Sequence, residues 1–364
     1  MSPTIKRIAD DLARSAPVTY RLPLCFGSWR IDIESNSEAL VERLRDYFDA
    51  FDEGQASRPP ALVVRAHQVP EPDLGISFIE WSREPGKQTR KEAFIDLADG
   101  RIVRKVRTGM QFLVGKDLRV AIGDCLANDN QVVNFINFQY TSFLMNRDLA
   151  LCHAAGVVLD GRGLAMAGIS GAGKSTLALH LMSSGLDFSS NDRLLVGPGR
   201  DGIEMTGVPK HPRINPGTAI ANPDLESVLS PTRREALRKL PRDELWALEE
   251  KYDARVDRLF GSDRITLHAP CVAFLLLTWS HRNDAPARFE RVELSERGDL
   301  LDAIMKSPGP FYLPESGPAP TGYVPPAPAP YLAALDGLPA FEASGGVDFA
   351  AAARFVRELL RAAD

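Results

Sequence analysis

The chain has 364 residues, 44% of them hydrophobic, enough for two domains of ordinary size with separate cores. Its formal charge of −5 leaves no basic excess to neutralise a phosphate backbone or seek an anionic surface, so neither nucleic acid nor membrane is expected as a partner. Cys25, Cys125, Cys152 and Cys271 form no CxxC pair and no dense disulfide framework, which fits a cytoplasmic, reducing setting.

The opening stretch MSPTIKRIADDLARS carries charge through its first turns and has no apolar core of signal-peptide length, so no export signal is expected. Alternating apolar residues from Arg30 to Glu34 predict a strand. Asn36 and Ser37 then offer caps for a helix whose Leu40, Leu44, Tyr47 and Phe48 recur at helical spacing. ALVVRA from Ala61, SFIEW ending at Trp81, and AFIDLADGRIVRKV from Ala93 predict further strands, the last two joined at Asp99-Gly100. After Asn128 the apolar residues Val132, Val133, Phe135, Ile136, Phe138, Tyr140, Phe143 and Leu144 are too dense for a surface helix and predict a buried one.

Beyond His153 strands and helices alternate: GVVLD, GLAMAG, a helix after Lys174, and the short strand LDFSS. The charged run from Pro231 to Gly261 reads as helices with solvated faces. The apolar run CVAFLLLTW has less than half the ~20 residues of a membrane span and reads as a buried strand. PESGPAPTGYVPPAPAPY, near 314–330, is too rich in proline for a helix or central strand and is expected to run extended along the surface. DFAAAARFVRELLRAA closes the chain as an amphipathic helix.

The chemistry concentrates between Gly168 and Ser175. Gly168-Ile-Ser170-Gly171-Ala172-Gly173-Lys174-Ser175 matches the Walker A pattern G-x-x-x-x-G-K-[ST], preceded by a predicted strand and followed by a predicted helix. Glycines let backbone amides close around phosphate oxygens while the helix adds its positive end. On this reading Gly168, Ser170, Gly171, Ala172, Gly173, Lys174, Ser175 and Thr176 cradle a nucleotide, Lys174 reaches its outer phosphates, and Ser175 offers a hydroxyl to Mg²⁺. Those fixed positions arise by chance in roughly one chain in a hundred of this length. No Asn-Lys-x-Asp guanine motif follows, so ATP is the expected nucleotide.

The residues around the loop resemble the catalytic domain of HPr kinase/phosphorylase, a phosphate-loop family of the PEP-carboxykinase-like superfamily, and most closely its HprK-related kinase B group. The resemblance rests on His153, on Gly168 to Ser175, on the pair Asn191-Asp192, and on Glu204-Met205-Thr206-Gly207, similar to the family's Glu-Ile-Arg-Gly. It covers about 149–217. It implies an α/β fold with an HPr-kinase-like domain over 149–364, a central sheet flanked by helices; the strand and helix pattern before it, outside the resemblance, predicts a small α+β domain over 1–148.

It also implies Ser175, Glu204 and Asp192 as magnesium ligands, His153 as a neighbour of the phosphates, and Asn191 at the position of the family's general base. An amide cannot accept a proton at neutral pH, so that role, worth ~10²–10⁴-fold, passes to Asp192 or is lost. Lys210 and Arg213, in the proline-stiffened loop GVPKHPRINPGT, are expected to hold an anionic substrate. His180, His268 and His281 lack ligand partners at useful spacing and are expected to be structural or superficial. Asp253 is read as a substrate contact or a helix-face ion pair.

The function expected is an ATP- and Mg²⁺-dependent kinase acting on a protein serine or a small-molecule hydroxyl. The alternatives are a nucleotide-binding regulatory module without catalysis, and an ATPase coupled to a partner assembly. HPr kinases are hexamers, so the resemblance also leaves room for a homo-oligomer.

Overall fold

The computed structural model describes residues 3–54, 58–86, 91–169, 171–200 and 202–362, and the fold is mixed α/β. The chain divides into two compact units, Met1–Arg147 with Ser307–Pro326, and Asp148–Lys306 with Ala327–Asp364. The first boundary falls one residue before the expected one. The segment Ser307–Pro326, expected in the second domain, belongs to the first.

In the first unit, α1 (Ile5–Ser15) starts at Thr4, whose Oγ1 accepts from the Arg7 amide. β1 (Tyr20–Phe26) and β2 (Trp29–Ser35) form a hairpin. α2 (Glu38–Tyr47), capped by the Ser37 hydroxyl on the Leu40 amide, leads to β3 (Leu62–Gln68), which lies parallel to β2. β4 (Ile79–Glu80), β5 (Glu92–Leu97), β6 (Gly100–Lys105), β7 (Gln111–Val114) and β8 (Arg119–Gly123) complete, among the described residues, an eight-stranded sheet in the order β1-β2-β3-β8-β7-β6-β5-β4. α3 (Asp129–Met145) buries residues around most of its circumference, as its apolar density requires.

The proline-rich excursion is held in this unit by particular contacts. Phe311 packs edge-on against Phe112 and Phe135, with centroids 5.4 and 5.6 Å away. The fully buried Arg101 donates to the Pro310 carbonyl at 3.2 Å while gripping Asp96 through two bonds. A buried guanidinium needs such acceptors, and the proline-rich backbone supplies one.

The second unit begins with β9 (Ala150–Cys152), β10 (Ala155–Leu159), β11 (Arg162–Gly168), α4 (Lys174–Ser183), β12 (Asp187–Ser190), β13 (Leu194–Pro198) and β14 (Ile203–Gly207). A largely helical stretch follows: β15 (Arg213–Ile214), α5 (Pro216–Ala221), α6 (Pro231–Arg238), α7 (Arg242–Ala247), β16 (Tyr252–Asp253) and α8 (Val256–Phe260). Then come β17 (His268–Leu277), β18 (Arg288–Val292), α9 (Gly298–Ile304), α10 (Pro328–Ala334), β19 (Ala340–Ser344) and α11 (Phe349–Ala362). α10 corrects the expectation of a helix-free proline segment: Pro328 occupies the first turn, where the amide it lacks would have had no intrahelical acceptor.

β11 and β17 run parallel at the centre of the sheet, Leu164 opposite Ala273 and Gly168 opposite Leu277. Successive side chains alternate between two covered faces. Ala165, Ala167, Phe274 and Leu276 pack with Leu300 and Ile304 of α9 and Tyr331 of α10. Leu164, Met166, Leu275 and Leu277 pack with Leu177 and Leu181 of α4 and with Val356 and Leu360 of α11. Burial on both faces explains why both strands read as unbroken apolar runs, and each large side chain so buried contributes about 1.5–3 kcal/mol. A third cluster joins Leu179 and Met182 of α4 to Ile214, Leu225, Leu237 and Val256, fixing the α5–α8 region against the same helix. All four cysteines are free. Among the described residues no helix is long and apolar enough to cross a membrane.

Candidate functional site

A cleft of about 580 Å³ in the second unit collects most of the residues singled out from the sequence. Its floor is the turn from β11 into α4. At Gly168 a Cβ would stand 2.6 Å from the Leu277 carbonyl oxygen, so only glycine lets β11 end so close to β17. Gly173, at φ 88°, turns the chain into α4 with no side-chain cap, leaving first-turn amides of the helix to an external acceptor. Trp279 donates its indole N–H to the Ala172 carbonyl at 2.8 Å and pins the loop. Lys174 Nζ donates to the Gly168 carbonyl at 2.8 Å, so the ammonium is folded back over the loop. Burial, opposed by Asp192 and aided by Lys306, lowers its pKa. Gly171, Gly173, Lys174, Ser175 and Thr176 line the cleft; Ser170 lies outside the described residues.

The opposite wall is the turn between β12 and β13. Ser190 Oγ donates to the Arg193 carbonyl and accepts from the Val208 amide at 3.3 Å, holding Asn191, Asp192 and Arg193 at the strand end. Asp192 lies between two partners: Oδ1 is 3.1 Å from His153 Nε2 and Oδ2 is 3.3 Å from Lys306 Nζ. Burial works to raise its pKa, but the His153 hydrogen bond and the charges of Lys306 and Arg193 prevail and hold the carboxyl well below its ordinary range. Asn191 also lines the cleft, its buried Oδ1 without a hydrogen-bond partner among the described residues.

Glu204 is a correction. It was expected beside the magnesium, but it sits opposite Gly197 and Pro270, three residues along β14 from Gly207, which pairs with Leu194 at the cleft end. That offset is about 10 Å of strand. Its carboxylate meets His268 Nε2 at 3.3 Å and accepts from the Arg200 amide at 3.3 Å, and it is not part of the cleft lining. Antiparallel register decides which end of β14 faces the site.

Lys210 and Arg213 both reach the cleft. Lys210 is pushed down to about 8, by burial first and then by Arg193, Arg213 and Lys306, against the pull of Asp192. Arg213 is exposed at the rim, its Nε 3.2 Å from Asp253 Oδ1 across the β15–β16 pair; Asp253 is thus on a strand, not a helix face. Between them His211 is structural: it accepts from the Val256 amide and lies 3.5 Å from Asp257.

Other residues at the cleft or in contact with its lining carried no usable sequence signal. Lys306 is 114 positions from Asp192 and precedes a proline-rich stretch. Its backbone is fixed by Tyr331, whose hydroxyl accepts from the Lys306 amide and donates to the Leu151 carbonyl at 2.6 Å. Trp246 and His281 also line the cleft, their rings 4.7 Å apart, so His281 is not the isolated structural histidine expected. His180 lies 5.9 Å from the Phe349 ring.

No protein-family model matches the sequence, and no curated protein matches it. Among solved structures, the HPr(Ser) kinase/phosphatase from Coxiella burnetii is similar, with 12% sequence identity, a TM-score of 0.30, and a match covering 58% of this chain and 93% of that one. The functional reading therefore rests on the cleft's own residues.

Along the lining, the cations Lys174, Arg193, Lys210, Arg213 and Lys251 outnumber the carboxylates Asp192 and Glu249. Among the described residues no cluster of three or more His, Cys, Asp or Glu side chains could hold a metal by itself. Ser175 and Asp192 form a hard-oxygen pair across the cleft, the donor chemistry that suits a Mg²⁺ arriving on phosphate oxygens with most of its waters.

Proposed function

We propose that the protein is an ATP- and Mg²⁺-dependent kinase that transfers the γ-phosphate to a hydroxyl, either a protein serine or a small-molecule alcohol. The observation that carries this reading is that the glycine turn with Lys174 and the Asp192 turn line one cleft, in a lining where cations exceed carboxylates. Lys210 is held down to about 8, by burial first and then by the nearby charges of Arg193, Arg213 and Lys306, and a triphosphate would add negative charge to that part of the lining.

First-turn amides of α4 and Lys174 would hold the outer phosphates, with Gly168, Gly171, Ala172 and Gly173 forming the turn. Ser175 and Asp192 would hold Mg²⁺, which when bound neutralises charge on the phosphates. His153 and Lys306 keep Asp192 ionised and oriented; a carboxylate so stabilised is a weak proton acceptor, which favours charge support over general-base work. Phosphoryl transfer tolerates this, because positioning and charge neutralisation supply most of its rate. Lys210 and Arg213 stand where an anionic acceptor would be held.

Incubation of the purified chain with γ-labelled ATP, Mg²⁺ and a lysate or metabolite extract tests the reading. Label on a discrete acceptor is the expected result. ATP binding without transfer or hydrolysis would overturn it in favour of a regulatory nucleotide-binding module, the reading favoured by Asn191 standing where an acid would serve as base.

A further inference from the structure

Lys174 and Thr176 lie two residues apart on α4, so their side chains leave the helix about 200° apart, yet both border the same cleft. The cleft therefore wraps around the helix start and has two chemically different ends. One holds Lys174 and Asp192, the latter backed by Lys306, and is charged. At the other, Thr176 and Thr218 share a hydrogen bond of 2.8 Å, and the next residue, Gly217, lies under Trp246, where a Cβ would meet the indole at 3.0 Å.

Trp246 and His281 are inclined by 35° with centroids 4.7 Å apart. His281 in turn neighbours Phe349, which abuts Gly173 at the start of α4. Burial and the nearby Arg242 lower the His281 pKa, so the imidazole is neutral at physiological pH and offers a π-face rather than a charge. Aromatic faces within reach of a phosphate-holding turn, but at the end away from its lysine, suit a flat heteroaromatic ring attached to the inner end of a triphosphate.

We infer that Trp246 and His281 form the nucleobase seat of this cleft, so that the site takes a purine nucleoside triphosphate with its base at the aromatic end and its γ-phosphate at the Lys174–Asp192 end. The inference rests on the proposed binding of a triphosphate at the glycine turn and adds the direction in which the nucleotide lies. Trp246 contributes stacking area, and Thr218 holds the Thr176 hydroxyl at the junction between base and phosphates.

Calorimetric titration of the full chain with MgATP, MgGTP and magnesium tripolyphosphate tests it, on the wild type and on Trp246→Ala, Trp246→Phe and His281→Ala. The expected result is tighter binding of a nucleotide than of tripolyphosphate in the wild type. Trp246→Ala should then lose about tenfold or more in nucleotide affinity with tripolyphosphate unchanged, and Trp246→Phe should retain most of it. His281→Ala, at an exposed ring, should show a smaller loss of the same selectivity. Equal nucleotide affinity in wild type and Trp246→Ala would overturn the seat, as would a parallel loss of nucleotide and tripolyphosphate. Wild type binding tripolyphosphate as tightly as either nucleotide would overturn the seat alone. Wild type binding none of the three would overturn the triphosphate reading with it.

Discussion

The Lys306 ammonium lies 3.3 Å from Asp192 Oδ2, although 114 residues separate the two in sequence. On the other side of the same carboxylate stands His153 at 3.1 Å. Asp192 is thus held from both sides before any ligand arrives, and the residue holding it from Lys306 is tied through its backbone to Tyr331. A carboxylate fixed in this way keeps its charge and its direction, which suits it to oppose Lys174 across the cleft.

Replacing Lys306 with Met removes one of the cations that keep Asp192 ionised, so its carboxyl should titrate at higher pH than in the wild type. Because the folded-state pKa of Asp192 lies below the ordinary 3.8, its contribution to stability is present above that value and is lost as pH falls through the lowered one. In Lys306→Met the loss should begin at higher pH. Carboxyl-carbon NMR titration of Asp192 in both proteins measures this, and coincident curves would contradict it.

Lys210 gives a stability slope of the same sign at higher pH. Its pKa of about 8 lies below the ordinary 10.5, so the folded state releases a proton that the unfolded chain retains, and stability should rise between those values. Tripolyphosphate affinity should fall as pH rises through about 8, where the ammonium is lost. Titrations at pH 7 and pH 9 should show this fall in the wild type and a smaller one in Lys210→Met.

Lys174→Ala removes the ammonium that now donates to the Gly168 carbonyl. Loss of a charge-assisted hydrogen bond costs about 1.5–3 kcal/mol, so triphosphate affinity should drop about tenfold to a hundredfold. The thermal midpoint without ligand should also fall, because the bond to the Gly168 carbonyl is lost with the ammonium. Ligand titration together with a melting curve separates the two effects.

Gly168→Ala should destabilise the second unit, because its methyl would meet the Leu277 carbonyl oxygen at 2.6 Å and neither strand at the centre of the sheet can withdraw easily. A cost of about 1–3 kcal/mol is expected. Chemical denaturation measures it; Gly298→Ala, where a Cβ would meet nothing within 4 Å, is the control.

Much of this protein is written locally. β11, the glycine turn and α4 follow from an apolar run, fixed glycines and helical spacing within about twenty residues, and α2 and α3 follow from their caps and apolar density. Short strands such as β9, β15, β16 and β18 left no such trace, because two to five residues carry too little pattern and are defined by the partner they pair with.

Sequence by itself determined that a glycine turn with the Walker A pattern exists, which residues compose it, and that the amide Asn191 directly precedes Asp192. Tertiary structure alone decided which charges share the cleft. It carried Glu204 away along β14, brought Lys306 to Asp192 across 114 residues, and set Trp246 beside His281. Local spacing fixes backbone conformation through short-range sterics and hydrogen bonds. Which side chains meet is set by strand register and by the packing of distant helices, and neither is encoded in any short stretch of the chain.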